Sequence, residues 1–164
     1  MDGPLSTQAL GKRRIVGSLD RAFALLHASS CDIVGRTTSE QLYEPRGGVL
    51  SIGESVLRSA AVVEQTFGGI TANLWDDPFE WTLPEHLTTP AKVIEHLEEV
   101  EAVRARAFAS FADDSCLTKQ IATPAEQSEP LVDLLLETLR RAAAYQGQAG
   151  GKFVSRSDAG GFII

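Results

Sequence analysis

The chain has 164 residues, 43% of them apolar and 23% charged, enough for one domain with its own core and too few to expect two. A net charge of −7 and a pI near 4.9, with no basic cluster longer than Lys12-Arg13-Arg14, argue against DNA or RNA as the main partner. No apolar run approaches the roughly 18 residues needed to span a bilayer, so no membrane partner is expected.

The opening Met-Asp-Gly-Pro lacks the basic-then-apolar order of a signal peptide, and the expected location is the cytoplasm. Leu19, Phe23, Leu26, Ser30 and Ile33 recur at steps of three and four, predicting a first helix over about residues 18–36 with Ser18 as N-cap. Pro45, Gly47 and Gly48 in "EPRGG" then break any helix. Ser51-Ile-Gly-Glu54 has capping-box spacing, in which the hydroxyl accepts an amide of the first turn and the carboxylate reaches back. Ile52, Val56, Ala60, Val63, Phe67, Ile70 and Leu74 continue from it as one apolar face, predicting a second helix over 52–74. Gly68 and Gly69 should weaken its end by about 1 kcal/mol each relative to alanine. "DDPFEWTLPEHL", residues 76–87, reads as a long connection anchored by its aromatics, long enough for a crossover between non-adjacent helices.

Thr89 as N-cap and Pro90 at the first helical position open a third helix, predicted over 90–112. Val93, Leu97, Val100, Arg104, Ala107 and Phe111 form its face. Glu98, Glu99, Glu101, Arg104 and Arg106 carry most of its solvent side, Arg104 standing in both sets. A fourth helix, predicted over 130–149, carries Leu131, Leu134, Leu135, Thr138, Ala142, Tyr145 and Ala149, with Gly147, Gly150 and Gly151 ending it. The tail over 150–164 has no helical period and is expected to be irregular. No period-two alternation extends beyond a few residues, so no sheet is expected. Four amphipathic stretches in one domain, 1–164, predict an all-α four-helix bundle.

Motifs for familiar chemistry are missing. GxSxG, GxxxxGK[ST], HExxH and HxxxH are all absent, and His27, His86 and His96 lie on three different segments. Cys31 and Cys116 are far apart and read as partly buried thiols in a reducing compartment, without a CxxC or Cys/His spacing. His96, at the edge of the third helix's apolar face, is the best-placed histidine, and only His27 suggests itself as a second ligand.

"GGVLSIGESVLRSAAVVEQ", residues 47–65, and "RAAAYQGQ", residues 141–148, together resemble the DinB/YfiT-like superfamily, with the likeness in helix order running from about residue 15 to 150. Those proteins are four-helix bundles described as metal-dependent enzymes. In them Ser-Ile-Gly-Glu leads into Leu-x-His, and the last helix carries His-x-x-x-His before Arg-Gly-Gln, the three histidines holding a divalent metal such as zinc or nickel. Here Gly147 and Gln148 are kept and the histidines are replaced. The equivalents on the last helix are Arg141 and Tyr145. On the second helix, matching "LRS" to Leu-x-His gives Ser59, whereas counting from Ser51 gives Arg58. At about 100° per residue Ser59 lies about 60° from the centre of the apolar stripe and Arg58 on the solvent side, which favours Ser59.

Serine is a poor ligand, arginine does not give up its proton, and a lone phenol seldom suffices, so no metal is expected at the family position. Arg141 is expected either to pair with Glu137, four residues back, or to line with Ser59 and Tyr145 a residual pocket for an anionic small molecule. The resemblance implies a protein with a binding or structural role around that pocket. The alternatives are a small-molecule transferase of the superfamily's thiol-transferase type, or an interaction module. A homodimer is the expected assembly, since bundles of this family often pair through exposed helix faces.

Overall fold

The long helices begin where a side chain satisfies their first amides. Ser51 Oγ accepts from Glu54 N at 3.2 Å while Glu54 Oε2 accepts from Ser51 N at 3.0 Å, the reciprocal pair that the spacing predicted. Thr89 Oγ1 accepts from Lys92 N at 3.3 Å, with Pro90 at the first helical position as expected. The computed structural model describes residues 11–80 and 85–158, with side chains described over 11–79 and 85–149. Within it run α1 (Arg14–Gly35), α2 (Ser39–Leu42), α3 (Ile52–Ala72), α4 (Pro90–Ser110) and α5 (Leu131–Asp158), with 3₁₀ turns at Pro78–Glu80 and Asp114–Thr118. The fold is all-α apart from a small antiparallel ribbon, β1 (Gln120–Ala122) and β2 (Ser128–Pro130), pairing Ile121 with Glu129. No described helix is long and apolar enough to cross a membrane.

Several boundaries differ from the expected ones for identifiable reasons. α1 starts at Arg14, so Ser18 lies inside the helix and donates back to Arg14 O at 3.0 Å instead of capping. The cap comes from far along the chain: Asp114 accepts from Ile15 N at 3.1 Å and Val16 N at 2.9 Å. A carboxylate at the positive end of the helix dipole does what a local N-cap does, and no local pattern announces it. α3 stops at Ala72, where Asn73 turns left-handed (φ 54°), and the amides of Asn73 and Leu74 return to Gly69 O and Gly68 O at 3.0 and 3.1 Å. Leu74 therefore leaves the stripe and is exposed. α5 runs through Gly147, Gly150 and Gly151 to Asp158, so these glycines do not end the helix and the segment 150–158 is not irregular. The rest of the expected tail, 159–164, lies outside the described residues, as does Trp81 in the connection. The ribbon and α2, the latter closed by a Thr38–Gln41 capping box, are elements too short for periodicity to show.

The core surrounds α3. Thirteen of its 21 residues are buried, among them Leu57, Ala61 and Val62, which lie off the predicted stripe. α3 packs along α5 and α4, and α4 packs along α1, which also touches α5. Phe23 of α1, Phe67 of α3 and Phe108 of α4 meet with ring centroids 5.4 to 5.7 Å apart, joining three helices at one point. Between α3 and α5, hydroxyl side chains make hydrogen bonds across the contact. Thr138 Oγ1 donates to Leu134 O at 2.7 Å, which uses its only proton, so Thr66 is the donor in the buried 2.7 Å bond between the two threonines. Ser59 Oγ donates to Ala142 O at 2.8 Å about two turns away. Gln146 of α5 reaches α1, donating to Leu26 O at 2.6 Å and Ser30 Oγ at 2.7 Å.

Arg104 is the charged member of the α4 face, and it is buried. Its guanidinium donates to Glu101 at 2.6 and 2.8 Å and to Asp20 of α1 at 2.6 Å. Burial alone lowers the pKa of such a group, and the two carboxylates more than reverse this, holding it above the usual arginine value.

Gly69 and Gly147 separate two uses of a helical glycine. A Cβ at Gly69 would lie 2.3 Å from the Trp75 indole, whereas one at Gly147 would meet nothing within 4 Å. Gly147→Ala should stabilise the fold by about 0.5–1 kcal/mol through reduced chain entropy. Gly69→Ala should destabilise it by about 1–3 kcal/mol through the forced displacement of Trp75. Urea unfolding of the two variants checks both signs, and equal effects would refute the close-approach explanation for Gly69.

Candidate functional site

Arg141 and Tyr145 lie on α5 beside an open hollow of about 270 Å³, together with Arg58, Ala61, Val62 and Gln65 of α3 and Asp77 and Phe79 of the connection. The connection is built to close this side. Asp77 Oδ1 accepts from Phe79 N at 2.9 Å, which starts the 3₁₀ turn at Pro78, and Gln65 Nε2 donates to Trp75 O at 2.7 Å, which pins the incoming chain to α3. Phe79 is thereby placed under Arg58, whose guanidinium carbon lies 4.0 Å from the ring centroid. Arg58 is thus not on a solvent face. The connection covers it, and its buried Nε has no hydrogen-bond partner among the described residues.

Arg141 does not pair with Glu137. Arg140 takes that carboxylate in a two-bond fork at 2.6 and 2.8 Å, and this side-chain hydrogen bonding is the main reason Glu137 titrates below the usual carboxylate value. Arg141 is left exposed on the hollow, whose described lining residues hold two cations, Arg58 and Arg141, and one carboxylate, Asp77.

Ser59 is not part of this hollow. Its hydroxyl is spent on Ala142 O, and it lines a second hollow of about 330 Å³, open to solvent, with Phe23, Leu26, His27, Ser30 and Arg104. The structure therefore brings Arg58, Arg141 and Tyr145 together and separates them from Ser59.

The histidines find other partners than each other. His96 Nε2 lies 3.9 Å from Glu64 Oε2, while His27 Nε2 lies 3.5 Å from Glu98 Oε1 of α4 and 3.7 Å from Cys31 Sγ. His27 and Cys31 stand four residues apart on α1, so a Cys/His spacing is present after all, and it is the sequence signal that could have linked them. Burial and the charges of Glu98 and Glu101 raise the pKa of the Cys31 thiol. His86 is exposed on the connection. Cys116, in the 3₁₀ turn, is also raised by burial and by Asp113 and Asp114. Compared with protein families, characterised proteins and solved structures, the chain matches none of them.

Glu64 is an acid held against its preference. Its Oε2 is buried without a hydrogen bond among the described residues, and burial raises its pKa above 4.5, Glu99 adding to the shift and His96 opposing it. A carboxyl with a raised native pKa supports folding below its unfolded value, and that support is lost as pH rises through the native value. Glu64→Gln should therefore be more stable than the wild type at neutral pH, and the difference should vanish below about pH 4.5. Thermal unfolding across that range checks it, and a Gln variant less stable at neutral pH would contradict the assignment.

Proposed function

We propose that the chain is a four-helix bundle of the DinB/YfiT-like kind that holds no metal at that family's position and binds a small carboxylate or phosphate ester between Arg58 and Arg141. On this reading the position equivalent to the second-helix ligand is Arg58, because it shares a hollow with Arg141 and Tyr145 and Ser59 does not. The observation that carries the reading is Arg58 itself. A guanidinium stacked at 4.0 Å on Phe79 is fixed in orientation, and its buried Nε has no acceptor among the described residues. An anion oxygen supplies what that N–H requires, and a second oxygen is in reach of the exposed fork of Arg141.

The chemistry is binding rather than catalysis. Two guanidinium groups repel a divalent cation, and neither gives up its proton near neutrality. Tyr145 offers a hydroxyl, and among the described lining residues the two cations outnumber the one carboxylate, Asp77, which suits a small anion in a chain of net charge −7.

Calorimetric titration with inorganic phosphate and with succinate tests the reading. One equivalent should bind, more weakly as salt rises. Arg141→Ala, a change at an exposed residue, should weaken it by about 1.5–3 kcal/mol, roughly ten- to a hundredfold, with little change in melting temperature. Absence of binding by both probes, or binding indifferent to Arg58 and Arg141 substitutions, would sink the proposal.

A further inference from the structure

The group formed by His27 and Cys31 of α1 and Glu98 of α4 belongs to neither hollow's binding chemistry as described, and it has the composition of a metal site. It offers one imidazole nitrogen, one sulfur and one carboxylate oxygen, and the three ligand atoms lie within 4.8 Å of one another. His27 Nε2 is 3.5 Å from Glu98 Oε1 and 3.7 Å from Cys31 Sγ. A tetrahedral zinc-type ion with bonds of about 2.0–2.1 Å to nitrogen, about 2.3 Å to sulfur and about 2.0–2.2 Å to oxygen sets its ligand atoms roughly 3.4–3.6 Å apart. The two edges through Nε2 have the lengths an ion requires. Cys31 Sγ also lies 3.9 Å from His27 Nδ1, so taking up an ion requires a side-chain rotation that brings the Nε2 lone pair and the sulfur onto it.

The surroundings favour a cation as well. His27 and Cys31 are four apart on one helix, so both side chains project from the same face, and the facing helix supplies the third group. The nearest other carboxylate, Glu101, is committed to the buried Arg104, which keeps that guanidinium neutralised and keeps Glu101 from closing the site. His27 also lines the hollow that contains Ser30 and Ser59. Three protein ligands leave one coordination position for water, and the hollow begins at one of those ligands.

We infer that His27, Cys31 and Glu98 bind one zinc-type divalent metal ion, with Cys31 coordinating as the thiolate after its proton passes to solvent. A thiolate and a carboxylate cancel the charge of the ion, so the loaded site is neutral at the edge of the α1–α4 interface. Sulfur and imidazole select zinc, cobalt or nickel over magnesium or calcium, which take oxygen ligands. The site is separate from the family's metal position and does not depend on the anion-binding reading, since none of its residues lines the Arg58–Arg141 hollow.

Titration of the chain with cobalt(II) tests it directly, because a tetrahedral thiolate complex adds a sulfur-to-cobalt charge-transfer band in the near ultraviolet. One equivalent should produce the band, zinc should displace it, and Cys116→Ser should leave it unchanged. Cys31→Ser should abolish it. His27→Ala and Glu98→Gln should each weaken binding by more than about tenfold, the loss that follows removal of even a supporting outer partner. Glu98 is exposed, so its glutamine variant keeps the test independent of folding. Failure to bind one equivalent, a cobalt spectrum without the thiolate band, or a band that survives Cys31→Ser or is lost in Cys116→Ser would overturn the inference.

Discussion

The close contact of α3 with α5 is the constraint on which the arrangement depends. Beside the buried Leu131 and Leu135 it carries hydrogen bonds made by Ser59 to the Ala142 carbonyl and by Thr66 to Thr138. Each buried hydroxyl must then find a partner, because an unpaired one costs about 1–3 kcal/mol. Thr66 donates to Thr138, Thr138 to the carbonyl one turn back, and Ser59 to a carbonyl across the interface. These bonds fix register as well as distance. With α3 and α5 locked in register, Arg58 shares a hollow with Arg141 and Tyr145, and Ser59, the next residue, is turned onto the Ala142 carbonyl and the second hollow.

That lock also explains why α3 is buried on nearly all faces. α5 covers one side, α4 and the phenylalanine cluster a second, and the Asp77–Phe79 segment a third. Periodicity correctly placed α3 and its capped start, because Ser51 and Glu54 act within one turn of each other. It misplaced Arg58 because a stripe of Ile52, Val56, Ala60, Val63 and Phe67 identifies one apolar face and is silent about the others. Leu57, Ala61 and Val62, off the stripe and equally apolar, were the available sign that more than one face of this helix is buried.

The remaining differences share a cause: they depend on residues distant in sequence. α1 begins four residues early because Asp114 caps it, and Asp114 becomes a cap only once the chain has returned past α4. Gly69 accommodates Trp75, a contact that propensity counts as a weakness. Gly147 had the opposite fate. It was expected to end α5, yet an isolated glycine costs only about 1 kcal/mol, which the packing of Ala142 and Ala149 on its flanks outweighs. The linking of His27 with Cys31 was legible as an i, i+4 spacing, but Glu98 joins them only through the pairing of α1 with α4, so two thirds of that cluster was visible in the sequence.

Charge divides the molecule along the same lines as packing. On the α5 side of α3, Arg58 and Arg141 outnumber Asp77 among the described lining residues, the balance on which the proposed anion site rests. On the α1–α4 side, Glu98 and Glu101 stand near Cys31, and Arg104 is already matched by Glu101 and Asp20, the balance on which the proposed cation site rests. The two hollows share no lining residue. A net charge of −7 therefore describes neither. What each region attracts is set by which charges the helix packing leaves unmatched, and the buried Arg104 shows how fully a charge can be removed from that account once two carboxylates enclose it.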